Sequence, residues 1–326
     1  MVDQPNPTIK CWYTTEAVPC RAAVSSSIIS RSTVQPPFRI GLCSEKRNYK
    51  IEHHKSNPIL IRKYGAPGAL VFLLHGGPGA PGYLSPVAQE LAKNFHVIEP
   101  LQRGSGHETL TVARHIADLH EIVKAHGQNQ RPALVGHSWG AMLALAYAAA
   151  HPTIASSLVL IGCGSFEPNA RKEMNAILEQ RTSNELRLRI EQLAQEVPDA
   201  DKRLHMLGKL LLPIYSHQLD QSETEEMDCD AQAHEETWAD MLRLQREGVY
   251  PAAFTTISSP IIMLHGKVDP HPGRMIHTSL RPFLPQLEYR EWEHCGHYPW
   301  LETAVHDEFY TTLRGWLLQQ FQRYSL

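Results

Sequence analysis

Leu134-Val135-Gly136-His137-Ser138-Trp139-Gly140 runs straight into Ala141-Met142-Leu143-Ala144-Leu145-Ala146-Tyr147-Ala148-Ala149-Ala150, and the reading of that junction decides the fold. An apolar β-type run, Ala133 to Val135, meets the pattern G-x-S-x-G, and an alanine- and leucine-rich helix former follows at once. This is the strand–turn–helix context that a nucleophile elbow requires. So tight a turn needs residues without bulk two positions before and two after the serine, and Gly136 and Gly140 meet that need. The turn would lift the Ser138 hydroxyl clear of the sheet edge, above a helix N-terminus that favours negative charge. Three fixed positions arise by chance in many chains; the strand before and the helix after give the pattern its weight.

Working outward, Leu70-Val71-Phe72-Leu73-Leu74 is a continuous apolar run, the mark of a strand buried on both faces of a parallel sheet. It ends in His75-Gly76-Gly77-Pro78-Gly79. Ahead of it, Ile59 to Tyr64 reads as a short strand closed by Gly65-Ala66-Pro67-Gly68. Behind it come a helix over about 84–93, a strand over 96–99, the turn Gln102-Arg103-Gly104-Ser105-Gly106, and a helix with apolar positions at Ile116, Leu119 and Val123. Ser157 to Ile161 is the strand after the elbow helix, and the sheet resumes at Ile261 to His265 and Leu287 to Trp292 before a closing helix over 304–320. Strands alternating with helices predict a mostly parallel, doubly wound α/β sheet. Residues 163–250 break that rhythm: helix-forming segments over 171–180, 184–196, 200–212 and 235–246 read as a helical cap inserted between strands. The core domain is then 57–162 plus 251–326, and residues 1–56, punctuated by prolines, form a poorly defined N-terminal segment.

A serine hydroxyl is a poor nucleophile near neutral pH, so Ser138 needs a base, and the base needs an acid to orient it. In this strand order the acid comes first and the histidine second, each in a loop after a later strand. Asp269 in Gly266-Lys267-Val268-Asp269 and His297 in His294-Cys295-Gly296-His297-Tyr298-Pro299 occupy those places. Both follow the carboxyl ends of strands, where open α/β sheets place their sites. Asp269 also precedes Pro270, as turn-forming aspartates often do, and His294 is a rival to His297. The oxyanion of a tetrahedral intermediate requires backbone donors already in place. Trp139, next after the serine, and Gly77, in the loop after the first buried strand, are the candidates.

The elbow, the loop and the ordered residues resemble the α/β-hydrolase fold from about residue 59 to 320. Within it, His75 to Gly79, Gln102 to Gly106, Ser138-Trp139-Gly140 and Leu143 to Tyr147 resemble the proline iminopeptidase branch. That resemblance implies an aminopeptidase that removes an N-terminal proline or similar residue, with acids of the cap holding the free amino group. The segment Glu223 to Glu236 is the dense supply of acids in the insertion, and Glu235 and Glu236, on a predicted helix, are the candidates for that role. The sequence departs from the branch at Leu101, where an aspartate is usual, at His137, where a glycine is usual, and at Ile161-Gly162-Cys163-Gly164, where Arg-Gly is usual. These departures leave the substrate pocket open.

With 326 residues, 42% hydrophobic and 20% charged, the chain can bury a large core, and its net charge of −3 gives no reason to expect nucleic acid or an anionic membrane as partner. No apolar run approaches the ~20 residues of a membrane helix. The six cysteines show no metal-ligand or disulfide spacing, so a reducing cytoplasmic setting, no metal and no cofactor are expected. The substrate is a small molecule or short peptide; the oligomeric state stays open. Three functions compete: an aminopeptidase, an esterase or C–C bond hydrolase using the same residues, and a catalytically silent relative that binds a ligand.

Overall fold

The computed structural model describes residues 49–53, 59–127, 130–220 and 227–323. Most of the N-terminal segment, together with the cap acids Glu223, Glu225 and Glu226, lies outside the described residues. The strands are β1 (Lys50–His53), β2 (Leu60–Tyr64), β3 (Leu70–Leu74), β4 (His96–Leu101), β5 (Ala133–His137), β6 (Ser157–Ile161), β7 (Ile261–Gly266) and β8 (Leu287–Trp292). They form one sheet in the order β1-β2-β4-β3-β5-β6-β7-β8. The β1–β2 and β2–β4 pairings are antiparallel, and every pairing from β4 to β8 is parallel. From β3 the chain moves one way to β4 and then crosses to β5 on the other side. The strand order therefore reverses at β3, opening a crevice beyond the carboxyl ends of β3 and β5.

The helices are α1 (Ser85–Leu91), α2 (Val112–His126), α3 (Trp139–Ala150), α4 (Pro168–Arg181), α5 (Asn184–Glu196), α6 (Ala200–Leu211), α7 (Ala231–Arg246), α8 (Gly273–Leu280) and α9 (His306–Arg323). They cover both faces of the sheet, which is why β3 reads as an unbroken apolar run. Leu70, Phe72 and Leu74 join the core on one face, with α2 and α3, while Val71 and Leu73 join the core on the other, with α1 and α9. Helix α3 is buried from Trp139 to Ala148 and apolar all round, as a helix enclosed on every side must be. Helix α8 was not predicted; it is eight residues long and begins on Pro272-Gly273, so it lacks both a good former and a capping side chain at its start. Among the described residues no helix is long and apolar enough to cross a membrane.

Candidate active site

The loops after β3 and β5 meet at the crevice. Ser138 stands at φ 54°, ψ −116°, the one non-glycine residue with positive φ among those described. Such a conformation persists only where the surroundings enforce it. Here a methyl group at Gly140 would run into the carbonyl oxygen of Leu74, and one at Gly136 into that of Gly140, so the strand and the helix approach too closely for any side chain. The Ser138 N–H donates to the Ile161 carbonyl at 2.8 Å, tying the turn to the end of β6. Trp139 is the first residue of α3, so its amide is one of those left without a partner inside the helix.

Asp269 and His297, read from separate loops, come together. His297 Nδ1 lies 2.6 Å from Asp269 Oδ2, both buried, whereas the rival His294 is exposed and sits beside His217 instead. Two further histidines, which the sequence reading missed, face the same carboxylate. His265 Nε2 is 3.3 Å from Asp269 Oδ2, and His271 offers both its backbone N–H (2.9 Å) and Nδ1 (3.0 Å) to Oδ1. Burial alone would raise the Asp269 pKa; the imidazoles of His297, His271 and His265 outweigh it and hold the carboxyl well below its usual range. Burial, the largest influence, depresses His297 despite the carboxylate beside it. The pair is thus an ionised carboxylate and a neutral imidazole whose Nδ1–H is donated, which leaves Nε2 free to accept a proton. Asp269, His271 and His297 each bring a potential metal-ligand atom within 4.8 Å of the others, and the hydrogen bonds among them account for that closeness.

The His75–Gly79 loop is held by a glutamine. Gln102 accepts from the Trp139 indole N–H at 2.7 Å, donates its amide to the His75 carbonyl at 2.8 Å, and gives its backbone N–H to His75 Nε2 at 3.0 Å. One side chain thereby ties both candidate oxyanion loops together. The motif Gln102 to Gly106 was visible in the sequence, yet nothing there assigned it this work. Arg103 makes a two-pronged ion pair with the buried Asp118 of α2 (2.6 and 2.8 Å), which fixes the turn that carries Gln102.

Glu235 and Glu236, read as amine holders, lie on α7 with Asp240, and Asp230 stands at its start. Helix α7 begins at Ala231, four residues before the predicted start, because Asp230 caps it: Oδ1 accepts from the Ala233 N–H at 2.8 Å. Asp230 Oδ2 also accepts from the N–H and hydroxyl of Ser105 (2.6 and 2.9 Å), and its own N–H reaches the Gly79 carbonyl at 2.7 Å. Glu236 Oε2 accepts from the Leu110 N–H at 2.7 Å, and Asp240 Oδ2 from the Val112 N–H at 2.8 Å at the start of α2. Glu235 is exposed. A carboxylate facing unpartnered amides at a helix start satisfies them, so Glu236 and Asp240 fasten α7 to the sheet domain.

Four buried neutral histidines near these loops tie stability to pH. Burial is the first cause in each: it lowers His75 and His115 from 6.5 to about 4 and also depresses His137 and His265. A folded pKa below the unfolded one means that the contribution is whole above pH 6.5 and is lost as pH falls toward 4. We expect His75 and His115 together to remove several kcal/mol over that window. Urea unfolding at pH 7.5, 6, 5 and 4.5 measures it; a flat profile would contradict the buried neutral assignment.

Comparison with known proteins gives the family and the fold. The alpha/beta hydrolase family matches residues 71–309. A probable aminopeptidase of Bacillus subtilis (strain 168) is 35% identical over 100 residues, covering 27% of this chain and 31% of its own length. A proline iminopeptidase of Neisseria gonorrhoeae is 27% identical over 244 residues, 69% of this chain and 70% of its own. The chain thus spans about a third of the first of these relatives and over two thirds of the second. A putative lipase from Acinetobacter baumannii shares the fold with a TM-score of 0.58 at 22% identity, over 85% of this chain and 93% of its own.

Proposed function

The chain belongs to the alpha/beta hydrolase family, and on that premise we propose that Ser138, His297 and Asp269 act as nucleophile, base and orienting acid of a serine hydrolase. The observation that carries this reading is the buried Asp269–His297 pair at 2.6 Å, brought together from two loops, with the His297 ring 4.5 Å from that of His137 in the elbow that holds Ser138 at positive φ. Ser138 Oγ attacks an acyl carbon as its proton passes to His297 Nε2. The negative charge that forms on the acyl oxygen is met by the amides of Gly77 and Trp139. The imidazolium then gives its proton to the leaving group, an acyl-enzyme remains, and water repeats the sequence to release the acid. Residues 163–250 serve as a cap over this site.

For the substrate we favour an N-terminal aminoacyl group, the aminopeptidase reading. The His75–Gly79 loop and the relatives named aminopeptidase and proline iminopeptidase support it. One observation favours a plain ester instead: Glu235 is exposed, and Glu236 already accepts a backbone N–H. A cationic amine buried beside the site without a carboxylate would be costly. The test pairs proline and alanine arylamides with their N-acetylated forms and with short p-nitrophenyl esters. Glu236→Gln keeps an oxygen for the Leu110 N–H while removing the charge. If Glu236 holds the amine, this variant loses roughly 30-fold or more in kcat/KM on the free-amine substrates alone. An equal response on all substrates leaves Glu236 as a fastening of α7, and a wild-type preference for acetylated or ester substrates overturns the aminopeptidase reading.

A further inference from the structure

His137 replaces the glycine usual before the nucleophile in the resembling peptidases, and it is almost wholly buried. Its Nε2 lies 3.0 Å from the backbone carbonyl of His297. A carbonyl cannot donate, so Nε2 carries the proton and donates it. In the neutral ring Nδ1 is then an acceptor, and 2.7 Å away stands the hydroxyl of Tyr83, which must donate to it. The oxygen of that hydroxyl in turn accepts the Gly76 N–H at 2.7 Å. The directions are forced from one end of the chain to the other: Gly76 N–H to Tyr83 Oη, Tyr83 O–H to His137 Nδ1, His137 Nε2–H to the His297 carbonyl.

Both ends of this chain are places where a small displacement matters. At one end is the His75–Gly79 loop. The Gly76 N–H is taken by Tyr83 and Pro78 has no N–H, and between them lies Gly77, the amide read as the oxyanion donor. At the other end is the backbone of His297, whose N–H is separately held by the Tyr215 carbonyl at 2.8 Å. The rings are wedged in place as well: Tyr83 stacks on Trp300 at 6.2 Å, and His137 meets the same indole edge-on at 4.8 Å. Trp300 is itself buried and forms a fixed wall.

We propose that Tyr83 and His137 are positioning residues which, through this three-bond chain, hold the oxyanion-binding peptide and the backbone of the general base as one unit. Neither touches the reacting atoms; each acts through Gly76–Gly77 or through His297. The proposal rests on the reading of Ser138 as nucleophile and of Gly77 as an oxyanion donor, so its test is built to fail separately from that reading. A bonded chain of this kind also predicts non-additivity, because breaking either link disconnects the same two ends.

The experiment measures the second-order rate of labelling by a fluorophosphonate, whose phosphoryl oxygen would occupy the same hole, so no natural substrate need be known. Tyr83→Phe deletes the hydroxyl and keeps the ring against Trp300. His137→Gln keeps an N–H for the His297 carbonyl, and its acceptor oxygen, carried one atom further out than Nδ1, leaves the position that Tyr83 donates to. Each is expected to slow labelling roughly 10-fold or more, as loss of alignment at an oxyanion donor does. The double variant should be no slower than the worse single one. On a p-nitrophenyl ester kcat should fall with KM nearly unchanged. Thermal unfolding is recorded for all three: a purely structural role would lower the midpoint and leave the labelling rate of the folded protein intact. Wild-type labelling in Tyr83→Phe overturns the proposal, as does a double variant whose loss is the product of the single ones. Should Tyr83→Phe not fold, His137→Gln is read by the same rate and the same kcat–KM split. Labelling that survives Ser138→Ala would instead overturn the nucleophile reading beneath it.

Discussion

Ser138→Ala is expected to abolish fluorophosphonate labelling and to lower kcat by at least ~10³ on whichever acyl substrate the wild type turns over. The substitution is a clean one here. Alanine keeps the β-carbon, so the strained turn at φ 54° is unchanged, and the interactions that enforce it, the Ser138 N–H on the Ile161 carbonyl and the close approach of Gly136 to Gly140, belong to the backbone. Unfolding should therefore be nearly the same in variant and wild type, and the loss can be assigned to chemistry. What remains would come from binding and from the Gly77 and Trp139 amides, which under the proposed mechanism meet the acyl oxygen whether or not the serine is present. Full labelling in the variant would mean that another nucleophile is being read, and the assignment of Ser138 would fall.

How much of this could be read from the sequence depends on whether a residue acts through a periodic pattern or through a single backbone bond. β3 and β5 were legible because each is covered on both faces, which demands apolar side chains at every position. The meeting of Asp269 with His297 was legible because strand order predicts which loops carry an aspartate and a histidine to the same sheet edge, and the structure pairs the two side chains at 2.6 Å. His265 and His271 crowd the same carboxylate from β7 and the loop after it, yet neither has a spacing that sets it apart. Gln102 and Tyr83 act by bonding to main-chain groups far away in sequence, and such bonds leave no trace in composition or period. The start of α7 was misplaced because Asp228, Asp230, Glu235 and Glu236 read as one acidic run. In the fold Asp230 is a cap, Glu236 a fastening, and Glu235 a solvated face. Acids at a helix start do local work before they are available to a ligand.

Asp269→Asn should cost on the order of 10²–10⁴ in kcat with little loss of stability, and the reason lies on the far side of the carboxylate. Oδ1 accepts the backbone N–H of His271 at 2.9 Å, a donor fixed by the chain, while Oδ2 faces His297 Nδ1 at 2.6 Å. An asparagine has one oxygen and one NH2 to place in these two positions. The fixed N–H of His271 claims the oxygen, because the NH2 there would set donor against donor in a buried site. The NH2 is then turned toward His297, where it can be accepted only if Nδ1 gives up its proton. The imidazole takes the other tautomer, with the proton on Nε2, and can no longer receive one from Ser138. Both side-chain atoms keep a partner, so the thermal midpoint should move little, and the variant should still fold around an intact elbow. Asp269→Ala, by contrast, leaves three imidazoles and a backbone N–H facing a void, and should lose stability as well as rate. Measuring kcat and the unfolding midpoint for both variants separates the two effects. Near-normal turnover in Asp269→Asn would show that His297 takes its orientation from another group, and Asp269 would then be only the anchor of its own loop.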